Sequence, residues 1–227
     1  MKGPAIIFGA SGGIGAAFAE GAAERGYAPV MGLSRAAGDF DLRDEASIAR
    51  CAARLADAGP PALILIATGL LSREPHRPER AIRALTPDWM AENFVINTIG
   101  PALLIKHMVP LLPKQGRSVI AALSARVGSI SDNRLGGWHS YRASKAALNM
   151  IVKGAALELA RTHPEAVCVT LHPGTVATEL SAPFRSGGAE GVQTPAAAAE
   201  ALLNVVENLT PAQSGRCFAW DGAEVPA

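Results

Sequence analysis

In the stretch SYRASKAALNM, residues 140–150, a phenol and an ammonium stand four positions apart in an otherwise alanine-rich helical run. Positions i and i+4 of a helix lie one above the other on one face, so Tyr141 and Lys145 share a surface. A free phenol titrates near ~10, and to trade a proton near neutrality it must be stabilised as phenolate by roughly 4 kcal/mol. One cation at ~4 Å supplies about that much at an effective dielectric near ~20, and only ~1 kcal/mol in bulk water. The pair therefore reads as a proton-transfer device, on condition that its surroundings are partly dry and that the positive ring of a bound nicotinamide adds to the field.

A second pattern lies near the start of the chain. IIFGASGGIGAAFAEGAAERG, residues 6–26, reads as strand, turn and helix, with Gly9, Gly13 and Gly15 spaced GxxxGxG. One glycine allows the sharp turn, one lets backbone approach a pyrophosphate, and one lets helix pack on strand, while the helix N-terminus offers free N–H groups to phosphate. The turn Gly9, Ser11, Gly13, Ile14 and Gly15 is thus expected to hold a dinucleotide. The next strand ends in GLSR: Ser34 stands where a ribose-binding carboxylate would be, and Arg35 follows. A carboxylate repels a 2′-phosphate, whereas a charge-assisted contact from Arg35 is worth roughly 1.5–3 kcal/mol, so NADP is favoured over NAD. Asp41 and Leu42, in FDLRD, are expected at the adenine edge.

The elements that must carry these residues are short β-branched runs alternating with longer alanine-rich helical ones, the signature of βαβ units and a parallel sheet. Strands are expected at 4–9, 28–33, 39–42, 62–67, 117–123, 166–172 and 215–220, and helices at 13–25, 44–57, 87–112, 138–163 and 195–208. The 227 residues, 49% hydrophobic and 18% charged, read as one domain over 1–227 with a sizeable core. The charged, proline-containing SREPHRPER at 72–80 reads as a surface loop, and the glycine- and serine-rich 180–193, with Phe184 and Arg185, as a substrate lid.

Composition narrows the partners. A net charge of +1 gives no electrostatic reason to expect nucleic acid or an acidic membrane. No run approaches ~20 uninterrupted apolar residues, and MKGPAIIFGASGG does not read as a leader. Three scattered cysteines, Cys51, Cys168 and Cys217, with no CxxC, read as buried thiols in a reducing, cytoplasmic setting rather than as a disulfide or zinc framework. The histidines show no metal-ligand spacing, and no metal is expected. His139 reads as a capping or surface group, and His172 simply precedes Pro173.

With GxxxGxG at Gly9–Gly15, YxxxK at Tyr141–Lys145, VIN ending at Asn97 and PGTVAT at Pro173–Thr178, the chain resembles the short-chain dehydrogenase/reductase family over nearly its whole length. GSISDN, GGW and YRASKAALN bring it nearest to the compact C-factor-type reductases of that family. The resemblance implies an α/β fold, a Rossmann-type doubly wound parallel sheet of about seven strands with helices on both faces. It implies Tyr141 as general acid or base, and Lys145 as the group that lowers the phenol's pKa and binds the nicotinamide ribose. It implies Asn97 as holder of a water that relays protons from Lys145 to solvent. Pro173, Gly174, Val176 and Thr178 would embrace the nicotinamide carboxamide, and Gly69 would admit the adenine ribose. The long helices at 87–112 and 138–163 resemble those that form a four-helix interface, which implies a homodimer or homotetramer.

Two departures stand out. The family's SSxxG carries a serine that binds the substrate carbonyl; here the stretch is LSARVG, and the position is Ala125. Ser124 or Ser129 could replace it only if the local backbone bends, because neighbours on a strand face opposite ways. Loss of one such donor without replacement costs ~10²–10³ in rate. The family's NNAG is IATG at Ile66–Gly69, a structural variation that keeps Gly69. The expectation is an NADP-dependent oxidoreductase that reduces a small, rather apolar carbonyl compound or oxidises the alcohol. The alternative is a catalytically weak NADP-binding regulator.

Overall fold

The computed structural model describes residues 2–184 and 191–227. Seven strands form the main sheet: β1 (Ala5–Phe8), β2 (Val30–Leu33), β3 (Leu63–Ile66), β4 (Ser118–Leu123), β5 (Ala166–His172), β8 (Cys217–Ala219) and β9 (Glu224–Val225), in the order β2-β1-β3-β4-β5-β8-β9. All pairings are parallel except the last, where β9 turns back on β8. AIIF in β1 and LILI in β3 are buried at every residue, as a parallel sheet covered on both faces requires.

Helices cover those faces: α1 (Gly13–Glu24), α2 (Glu45–Leu55), α3 (Pro87–Phe94), α4 (Gly100–Met108), α5 (His139–Thr162) and α6 (Pro195–Asn208). Side chains alternate across each strand, and the two resulting stripes seed two cores. Ile6, Ile64, Ile120 and Cys168 pack under α2, α4 and α5 through Ile48, Leu104 and Leu148. Ile7, Leu65, Val119 and Val169 pack under α1 and α6 through Phe18, Leu202 and Val206. The chain leaves β1 to one side for β2 and returns on the other side as β3. Ligands bind at such a reversal, outside the carboxyl ends of the strands.

The sequence expectations fail in instructive places. No strand forms at 39–42. Phe40 and Leu42 are buried, but the backbone there is spent on a turn: Asp39 N–H donates to Ser34 O (3.1 Å) and Asp41 N–H to Ser47 Oγ (3.0 Å). The seventh strand is instead the two-residue β9. The helix expected at 87–112 is interrupted by a π-helical turn, Val95–Ile99, between α3 and α4; such turns recur at functional sites. The helical run Pro87–Leu111 is long and apolar enough to cross a membrane by length and composition, but Leu104 and Met108 sit in the core beneath it. Of the expected lid, a 3₁₀ turn (Ala182–Phe184) and β7 (Val192–Gln193), paired with β6 (Thr175–Val176), are seen; Arg185 and the rest of 185–190 lie outside the described residues.

Candidate active site

The glycine turn is built as the spacing predicted. Gly9 has φ +89°, and a β-carbon there would lie 2.9 Å from the backbone of Ala67 at the end of β3; one at Gly15 would lie 2.1 Å from Gly9 O. No side chain can replace hydrogen at either position without moving the turn. Gly12 precedes α1 with no side-chain cap, so the first-turn N–H groups are left for an external acceptor. These groups, with Thr68, Tyr141 and Lys145, line a cavity of about 500 Å³. A backbone-only phosphate cradle at the sheet's reversal point fits a dinucleotide pyrophosphate.

A second cavity of about 330 Å³ adjoins it, sharing Ser11, Thr68 and Gly69, and is lined by Arg35, Asp41 and Leu42. Ser34 is not among the lining residues: its hydroxyl accepts from Ala37 N–H (3.1 Å) and staples the turn after β2. Arg35 forms no ion pair among the described residues. Two further arginines at this cavity escaped the sequence reading. Arg43 and Arg73 converge from separate loops on the Glu92 carboxylate, Arg73 at 3.1 Å. Nothing in their local sequence marks them, because only the fold brings them together.

Tyr141 and Lys145 do share one face of α5, as the i, i+4 spacing requires. Both are buried, 8% and 3% exposed, and the ammonium lies 5.8 Å from the phenol's ring centroid while donating to Leu123 O at 2.8 Å. Without a bound nucleotide, burial governs the protonation of both groups. Burial pushes Tyr141 above its usual value and pushes Lys145 down from 10.5 to about 8. Desolvation is the leading cause in both, since both charged forms lose water. The phenol therefore carries its proton, the state a general acid needs.

Asn97 is wholly buried, but its amide holds protein rather than reaching the cavity. Its Oδ1 accepts from Leu70 N–H and its Nδ2 donates to Leu70 O, both at 2.8 Å, and Nδ2 also approaches Ser144 Oγ (3.1 Å) and Asn93 Oδ1 (3.3 Å). This clamps the loop after β3 to α5 one residue before Lys145. With its donors and acceptor so committed, the side chain clamps that loop to α5.

Glu79, in the loop read only as charged surface, is buried, and its carboxylate accepts from the N–H (3.2 Å) and hydroxyl of Ser140. Helix α5 has no cap of its own: Trp138 sits before it at φ +52° with no side-chain hydrogen bond, and no acidic residue lies in its first turn. A carboxylate 61 positions upstream supplies the missing acceptor, which also suits the positive end of the helix dipole.

A third cavity, about 420 Å³, adjoins the first through Tyr141, Ser124, Pro173 and Thr178, and is walled by Leu71, Val127, Trp138, Val176 and Phe184. Gly174, at φ +74°, lies against Gln193 and Trp220. Phe184 packs edgewise on Trp138 with ring centroids 5.4 Å apart. Ser129 is turned away: its hydroxyl accepts from Asp132 N–H (3.1 Å) and donates to Ala227 O (3.4 Å). Ser124 is buried, has no hydrogen-bond partner and faces both the first and third cavities.

Comparison with known proteins agrees with this fold. Residues 29–220 match the family model described as enoyl-(acyl carrier protein) reductase. C-signal of Myxococcus xanthus is 38% identical over 138 residues, covering 60% of this chain and 78% of that protein. The 1-hydroxy-2-glutathionyl-2-methyl-3-butene dehydrogenase of Rhodococcus sp. (strain AD45) is 35% identical over 185 residues, 80% of this chain and 76% of the relative. Among solved structures, NADPH-bound carbonyl reductase from chicken fatty liver superposes with a TM-score of 0.85 at 24% identity over 100% of both chains. The chain belongs to the short-chain dehydrogenase/reductase family and is an NAD(P)-dependent oxidoreductase of that class.

Two outcomes follow from this packing. Lys145→Met should stabilise the protein without nucleotide by roughly 1–3 kcal/mol in chemical denaturation at pH 7, because the buried ammonium is exchanged for an apolar chain. The sign fixes the pH course: with the folded pKa near 8 and the unfolded one near 10.5, the unfolded chain holds the extra proton between them. The wild type should thus gain stability as pH rises through that window, and its deficit against the variant should shrink there. Glu79→Ala should lower stability by roughly 1–3 kcal/mol through the uncapped α5, and amide exchange should rise first at residues 140–143.

Proposed function

We propose that this oxidoreductase uses NADP and reduces a small, largely apolar carbonyl compound, or oxidises the matching alcohol. One observation carries the reading: Tyr141 forms a shared wall between the cavity floored by the glycine turn and a separate, mostly apolar one. A proton donor at the boundary of a dinucleotide cradle and a substrate cavity suits carbonyl reduction. When bound, the dinucleotide supplies hydride to the carbonyl carbon or takes it back. Tyr141, kept protonated by burial, gives its proton to the carbonyl oxygen, and the C=O becomes CH–OH. Lys145, beside Gly69 and Leu123, fixes ribose hydroxyls and favours the phenolate left behind. Apolar walls exclude water from the exchange.

Arg35, which has no ion pair among the described residues, the serine rather than an acidic residue at position 34, and the NADPH in the similar chicken carbonyl reductase support NADP over NAD. Ala125, an apolar methyl in the third cavity, carries a second reading, a weakly active NADP-binding regulator. NADPH binding with no turnover across a broad carbonyl panel would be its signature. Ile99, Met150, Ile151 and Leu157 are exposed apolar residues around α4 and α5, which supports self-association through these helices into a homodimer or homotetramer.

Tyr141→Phe tests the main reading. Fluorescence titration should show NADPH affinity within about threefold of wild type, while kcat falls by ~10²–10⁴, the span of lost general acid catalysis; wild-type turnover by this variant would refute the role. Arg35→Ala should weaken NADPH by roughly tenfold or more while leaving NADH nearly unchanged. Equal weakening of the two would count against a 2′-phosphate contact.

A further inference from the structure

We propose that Ser124 and His172 form a two-point polar grip on the substrate. The Ser124 hydroxyl donates to the carbonyl oxygen that Tyr141 protonates, and the His172 imidazole meets a second, uncharged oxygen on the adjacent carbon. The substrate class is then an α-hydroxyketone or vicinal diketone with apolar substituents. The inference rests on the carbonyl reductase reading and narrows it.

The strand register brings the two residues together. β4 and β5 pair up to Leu123 opposite Leu171, so Ser124 and His172 occupy the next rung, on strands ~4.8 Å apart. Counting back by twos, both share a sheet face with Ala122 and Cys168, the face that packs under α5. Ser124 thus continues the stripe that faces the tyrosine's helix, which answers how a serine one place early can serve where Ala125 cannot.

Neither group has a protein partner. Ser124 Oγ and His172 Nδ1 are among six buried side-chain polar atoms left without a hydrogen bond in the described residues, and they are the two that share the third cavity with Tyr141. A buried orphan costs about 1–3 kcal/mol, and such groups in folded proteins are few and call for an explanation. A ligand oxygen at each satisfies both. Burial, helped by the Arg126 guanidinium, holds His172 near 4 against the pull of Asp221, so at neutral pH it offers an uncharged ring. Arg126, the cation on that wall, is engaged with Asp132 at 3.0 Å. The cavity therefore suits a neutral second oxygen better than a carboxylate. In the reaction Ser124 and His172 keep their own protons: hydride reaches carbon, the proton comes from Tyr141, and the grip only orients and polarises.

Benzil and deoxybenzoin test this, because they match in size and differ in the second oxygen. With NADPH as reductant, benzil is intrinsically the more electrophilic ketone, so the grip is read from how each variant changes the benzil-to-deoxybenzoin ratio of kcat/KM relative to wild type. Ser124→Ala should lower kcat on both ketones by ~10–10³, as loss of an oxyanion donor does. His172→Leu should lose at least about tenfold more on benzil than on deoxybenzoin, and His172→Gln, which can still hydrogen-bond, should recover part of that preference. NADPH titration and thermal melts of each variant report whether cradle and fold are intact. Ser124→Ala turning over at wild-type rate, or His172→Leu losing equally on both ketones, would overturn the grip while leaving the reductase reading standing. A rise in kcat above about tenfold on Ala125→Ser would overturn it too, since a satisfied site gains little from a second donor. A wild type that binds NADPH yet reduces neither probe nor any other carbonyl would refute the reductase reading and the grip with it.

Discussion

A lysine ammonium taken out of water sets the terms for the rest of the crevice. Lys145 is 3% exposed and, among the described residues, has one hydrogen-bond acceptor, Leu123 O. A lone buried cation is unfavourable, and its pKa near 8 records that cost. The surrounding fold keeps it there. A β-carbon at Gly128 would lie 2.9 Å from Lys145 Cβ, so the backbone after β4 presses directly on α5. The clamp at Asn97 fixes the facing loop, and Thr98 donates to Ser144 O at 2.7 Å on the same helix. Each contact stabilises a geometry that the lysine alone would not choose.

The site draws on segments far apart in sequence. The glycine turn comes from the β1–α1 connection, Arg35 from the turn after β2, and Tyr141 from the first turn of α5. Glu79 caps that turn from a loop that looks merely charged. The π turn at Val95–Ile99 lets one helical run carry both Asn97, which meets the loop after β3, and the apolar stripe of α4 that packs on the sheet. Strain and unsatisfied groups concentrate where strands end, while the sheet interior is conventionally apolar.

Much of this was legible because it is local. Periodicity separates buried strands from helices, glycine spacing marks the cradle, and four residues of helix place Tyr141 under Lys145. What escaped has a different physical origin. Phe40 and Leu42 alternate like a strand, but the backbone N–H groups of their neighbours Asp39 and Asp41 find partners in Ser34 and Ser47 rather than in a neighbouring strand. Arg43, Arg73 and Glu92 meet only after folding. Ser34 was given a ribose-facing role, yet its hydroxyl is spent on its own turn. The phenol's expected acidity rests on the field of Lys145 and a bound nicotinamide ring, and burial acts on both partners at once, with the opposite sign. That balance depends on surrounding atoms and has no signature in the spacing of two residues.

The central claim is that the fold holds Lys145 desolvated beside Tyr141. NMR titration of lysine side chains labelled at Cε, with Lys145→Met used to assign the signal, measures this directly in the nucleotide-free protein. The account predicts one lysine with a midpoint near 8, well apart from the others. A Lys145 midpoint at the ordinary 10.5 would contradict it.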